Sequence, residues 1–187
     1  MSLEVLTGSR LARPVHTPRA VVMSPLLGPL VLAAAGCVIP PSLSVEDGDA
    51  GINSPPAILA VRSDQQELAE PGPVTFARGS GTINVTLIDT DVDDTLYVRV
   101  FVDYTVADPT AARSACTAPP NGTPQRAATC DLSALCLTGD IGAERLMQVQ
   151  VFDRELLESG TPAFKAMPPG GLTTSRFYQL NCTESQK

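Results

Sequence analysis

Leu96-Tyr97-Val98-Arg99-Val100-Phe101-Val102-Asp103-Tyr104 is the stretch whose pattern decides the fold. In an extended chain Leu96, Val98, Val100, Val102 and Tyr104 fall on one side, and Tyr97, Arg99, Phe101 and Asp103 on the other. That is the period of two of a half-buried β-strand. Its β-branched and aromatic residues favour strand over helix. Upstream, Ile83, Val85 and Leu87 alternate with Asn84 and Thr86. The acidic run Asp89 to Asp94 joins the two stretches, and the pair is expected to form a hairpin. A lone hairpin is not stable in water, so other strands must complete it.

Working outward, Ile58, Ala60 and Arg62 open a short strand, and Val74–Ala77 forms another before the Gly79-Ser80-Gly81 turn. Gln125 to Cys130, Leu146 to Phe152 and Thr174 to Leu180 supply the rest. Asp131-Leu132-Ser133-Ala134-Leu135-Cys136 suits one helical turn, with Asp131 as its N-cap and both leucines on one face. Asp108 to Thr129, rich in Pro, Ala and Thr, is expected to be a long inserted loop. No helical period is sustained over more than about ten residues. About seven short strands with Gly- and Pro-rich connections predict an all-β sandwich over residues 56–187.

Before that domain lie a leader and a tether. Arg10, Arg13 and Arg19 precede an uncharged run from Ala20 to Ala35, and small residues precede Cys37, the layout of an export signal. Pro25, Gly28 and Pro29 interrupt the run, which disfavours a membrane-spanning helix. The ending Val31-Leu32-Ala33-Ala34-Ala35-Gly36-Cys37 resembles the lipobox of bacterial lipoproteins. That resemblance implies cleavage after residue 36, lipid attached to Cys37, and a mature chain anchored through it. Val38 follows the cysteine where Asp would direct inner-membrane retention in enteric bacteria, which implies the outer membrane. Residues 37–55, with Pro40-Pro41 and scattered Ser, Gly and Asp, form a flexible tether. It reaches roughly 21 to 25 Å as a coil.

With Cys37 assigned to lipid, Cys116, Cys130, Cys136 and Cys182 make an even set. In an oxidising compartment four cysteines form two disulfides, in any of three pairings. Cys116 with Cys130, leaving Cys136 for Cys182, is favoured because it would staple the long loop. Zinc is disfavoured, because the cysteines lack the close pairs of a tetrahedral site.

Ile83 to Asp89, the acidic turn, Leu96 to Tyr104, and the turn from Asp131 resemble the middle of an immunoglobulin-like sandwich. Gly142, Glu144 and Val149-Gln150-Val151-Phe152-Asp153 extend the likeness to bacterial extracellular repeats of the polycystic-kidney or fibronectin type III kind. The core tryptophan of those repeats is missing, since the chain has none.

Chemistry is constrained mostly by composition. The one histidine, His16, lies in the leader, so the mature chain lacks Ser-His-Asp and Cys-His catalysis. Residues 37–187 hold ten basic and nineteen acidic side chains, a balance of −9 that argues against nucleic acid. Asp89, Asp91, Asp93 and Asp94 are candidate calcium ligands. They depart from an EF-hand loop, with Asp94 at the glycine position and Val100 at the final glutamate, and a solvated turn is the competing expectation. Tyr97, Arg99 and Phe101 are candidates for a binding strip, weighed against packing under a neighbouring strand or loop. The expected role is binding or scaffolding in the cell envelope, with an envelope protein or polysaccharide as partner and no cofactor. The alternatives are a carbohydrate- or calcium-binding surface module and a carboxylate-dependent hydrolase.

Overall fold

Eight β-strands run through residues 53–64 and 66–185, which the structure, a computed structural model, describes. They are β1 (Ala57–Ser63), β2 (Val74–Ala77), β3 (Thr82–Ile88), β4 (Leu96–Val102), β5 (Ser114–Ala118), β6 (Gln125–Asp131), β7 (Glu144–Phe152) and β8 (Thr173–Thr183). One sheet has the order β1-β3-β6 and the other β2-β8-β7-β4-β5. Every pairing is antiparallel except that of β2 with β8. The chain is therefore an all-β, two-sheet sandwich, as its alternation predicts, with one strand more than expected. Cys37, the leader and most of the tether lie outside the described residues.

The inner faces follow the hydrophobic pattern. Ile83, Val85 and Leu87 of β3 and Val61 of β1 are buried on one side of the core. Leu96, Val98, Val100 and Val102 of β4 pack in the same core, with Met147, Val149 and Val151 of β7 and Tyr178 and Leu180 of β8. A one-residue slip of register would turn such a row outward, so the alternation fixes the register of these strands. In β1 the register shifts between Ile58 and Ala60. This bulge leaves Leu59 exposed and buries both Ala60 and Val61.

Three expectations are corrected. First, β3 and β4 do not form a hairpin: β3 pairs with β1 and β6, and β4 with β5 and β7. Residues 89–95 cross from one sheet to the other, so that the apolar rows of β3 and β4 meet in the core from opposite sheets. Second, Tyr104 does not continue the core row of β4. Asp103 takes φ 53°, which breaks the alternation, and the Tyr104 ring lies 5.2 Å from that of Phe101. Third, Asp108 to Thr129 is not all loop before the expected strand at Gln125, since it contains β5.

Both disulfides join distant elements. Cys116 of β5 is bonded to Cys130 of β6, with Cα atoms 5.1 Å apart, so the bridge ties the edge of one sheet to the edge of the other. Cys136, in the connection after β6, is bonded to Cys182 of β8, with Cα atoms 5.6 Å apart. The favoured pairing is thus the one formed. The turn at Asp131 forms as well: Asp131 accepts from the Ser133 amide at 3.1 Å and from its hydroxyl at 2.6 Å, while Leu132 and Leu135 are buried.

Candidate functional site

Two surfaces carry the side chains that the sequence singles out. The first is the acidic crossing between β3 and β4. It is organised around Arg126 of β6, whose side chain is buried with that of Asp89 in an ion pair at 3.4 Å. Arg126 also donates to the carbonyls of Asp91, at 3.0 Å, and of Asp94. A buried arginine thus satisfies backbone groups that the crossing would otherwise leave unpaired. Burial pushes the Asp89 carboxyl above its ordinary value, against donation from the Asp91 amide and the charge of Arg126.

The remaining carboxylates point to separate partners. Asp91 accepts from the Ser54 amide at 3.1 Å, and Asp94 pairs with Arg154. Asp93 is exposed. Nearby, the buried Asp153 accepts from Asn53 at 2.5 Å and from the Leu172 amide at 2.8 Å. The chain at Asn53 and Ser54 is therefore already bound to the sandwich, slightly before the expected boundary at residue 56. Among the described residues, no group of three or more Asp, Glu, Cys or His side chains is arranged to hold a metal ion.

The second surface is the outer face of the five-stranded sheet. Register places Arg99 opposite Gln150, itself opposite Ser175. Phe101 lies opposite Gln148, and Gln148 opposite Phe177. The Gln148 amide donates to Ser175 Oγ at 2.9 Å, and that of Gln150 to Thr173 Oγ1 at 3.0 Å. Residues 154–172, between β7 and β8, lie over part of this face. Their Lys165 is 4.4 Å from the Phe101 ring centroid and 3.6 Å from that of Tyr104. Lys165 Nζ donates to Gln148 Oε1 at 2.6 Å, and the Tyr104 hydroxyl to the Ala163 carbonyl at 2.8 Å. Burial lowers the Lys165 amine to about 8.

The candidate strip is split by this arrangement. Phe101 is completely buried and offers no exposed ring, because the β7–β8 connection covers it. Tyr97 and Arg99 are half-buried, and the Arg99 guanidinium is 6.0 Å from the Tyr97 ring centroid. Neither a protein-family model nor a curated protein matches this chain. Lys165 was not singled out from the sequence. A signal was present, since the chain has eleven arginines and only two lysines, Lys165 and Lys187.

A third ionic group braces the opposite end of β7. Asp140, nearly inaccessible, takes Arg113 at 2.5 Å and Arg145 at 3.1 Å, and Arg145 reaches Asp103 at 3.2 Å. Burial pushes the Asp140 carboxyl up. Donation from Arg113 and the Leu137 amide, with the charges of Arg113 and Arg145, outweighs it and holds the carboxyl below its ordinary value.

Proposed function

We propose that this chain is a lipid-anchored protein of the cell envelope whose immunoglobulin-like sandwich binds or scaffolds without catalysis. The observation that carries the reading is the cysteine arithmetic. Two disulfides use four of the five cysteines, and the one outside them is Cys37, at the lipobox-like sequence. Disulfides persist in oxidising compartments, which agrees with export.

The strand order supports the immunoglobulin-like assignment. β1, β3 and β6 correspond to strands A, B and E, and β4, β7 and β8 to C, F and G, with β5 beside C and β2 beside G. Among the described residues no strand stands in the D position, and the bridges differ from the B–F disulfide of antibody domains. Asp89, Asp94 and Asp140 are each paired to arginine, which disfavours their use as a catalytic carboxylate pair. The test is to express the full chain in a bacterial host fed an alkyne fatty acid. Label is expected in the membrane-bound protein and absent from Cys37→Ser; label on neither, or equally on both, contradicts the anchor.

A further inference from the structure

We propose that the outer face of the five-stranded sheet, at Arg99 and Lys165, binds the carboxylates of an acidic polysaccharide, one built of uronate-type rings. This deepens the binding reading above and does not depend on the lipid anchor.

The distribution of charge leads to this face. Every other arginine in the described residues has a carboxylate partner: Arg62, Arg78, Arg113, Arg126, Arg145, Arg154 and Arg176 all form ion pairs. Among the described residues, Arg99 and Lys165 are the basic side chains with none. Both lie on the outer face of the five-stranded sheet, where the Arg99 guanidinium donates to the Val98 carbonyl at 2.9 Å and Lys165 Nζ to Gln148 Oε1 at 2.6 Å. Arg99 lies two residues from Phe101 on β4, a spacing of about 7 Å, and Lys165 stands over the Phe101 ring. In a chain with a net charge of −7, these two partly buried cations share one face of the sheet and neither forms an ion pair with a carboxylate.

Both cations also lose solvent. Burial lowers the Arg99 guanidinium below its ordinary value, against the charge of Glu155, which influences it without forming an ion pair. A carboxylate arriving at this face would repay the lost hydration, and a guanidinium can receive it through two parallel hydrogen bonds. The surroundings suit a sugar. Tyr97 is partly open beside Arg99, and Phe177 is 42% exposed on β8. Aromatic rings offer flat apolar surface to a sugar ring.

The overall negative charge selects among polyanions. It repels ligands with closely packed charge, such as nucleic acid with one charge per about 1.7 Å of duplex. A polysaccharide with a single carboxylate on each ring is repelled less. An acidic peptide is the rival ligand.

The full-length protein, solubilised in detergent, would be titrated calorimetrically with oligogalacturonate, a neutral dextran oligosaccharide and poly-L-glutamate at low salt. Oligogalacturonate is expected to bind and dextran not to bind. Arg99→Gln and Lys165→Met should each weaken binding by about tenfold or more, and Glu155→Gln should tighten it. Urea melts check that the variants fold. If either fails, attenuated binding on adding salt to the wild type and the gain in Glu155→Gln remain as readouts. No binding of oligogalacturonate, or binding unchanged in all three variants, overturns the proposal. Tighter binding of poly-L-glutamate also overturns it, in favour of an acidic peptide. None of these outcomes bears on fatty-acid labelling of Cys37, so the two readings fail separately.

Discussion

Arg126 shows how one residue can set the path of the chain. Its guanidinium holds the Asp91 and Asp94 carbonyls and faces the buried Asp89 carboxylate, so the crossing between the sheets is built around it. Arg126→Met would leave that carboxylate and both carbonyls without their partner. Breaking one side of a buried pair costs about 3–5 kcal/mol, and urea unfolding should show a lower midpoint at unchanged slope. A loss well under 1 kcal/mol would mean that water replaces the arginine. Asp140 supplies a test in pH. Its folded carboxyl titrates below the ordinary value, so its stabilisation is complete above the unfolded pKa and is lost as pH falls through the depressed folded value. The stability difference between wild type and Asp140→Asn should therefore shrink from about pH 7 to about pH 2. Asp89 is shifted upward and acts with the opposite sign, which is why the comparison needs the variant rather than the wild type alone.

At the scale of elements, strands with a strong alternating row were legible and strands without one were not. β3, β4 and β7 carry Val, Ile, Leu and Met at every second position, and the sequence places them closely. β5 reads Ser-Ala-Cys-Thr-Ala, small residues with little apolar contrast between faces, and it lies on a sheet edge where one neighbour suffices. The partners of β3 and β4 were also hidden, because alternation reports burial of a face and not which strand lies alongside. The covering of Phe101 depends on a contact from Lys165, 64 positions along the chain, that no local period records. The disulfides can be ranked by the chain they close. Cys136–Cys182 spans 46 residues and Cys116–Cys130 spans 14. On loop-closure entropy their removal should cost about 4 and about 3 kcal/mol respectively. Paired Cys→Ala variants compared by urea unfolding measure both. The reverse order would show that the link between sheet edges outweighs loop length.

For the whole molecule, the acidic composition bears on how the proposed anchor would work. An acidic sandwich has little attraction for anionic lipid headgroups, so attachment to a membrane calls for covalent lipid, each buried CH₂ contributing about 0.8 kcal/mol. Asn53 and Ser54 are bonded to Asp153 and Asp91 and so belong to the sandwich, and the tether expected from the sequence would end before residue 53. A protease should accordingly cut between Val38 and Ile52 and release a folded core, with unfolding on cleavage as the contrary result. The most direct test of the anchored, doubly bridged protein is its intact mass, taken without reductant after extraction from the membranes of the organism that makes it. The account predicts residues 37–187 plus acyl groups, less four hydrogens for the two bridges. A mass that keeps residues 1–36, lacks acyl groups, or rises on reduction by fewer than four hydrogens would contradict it.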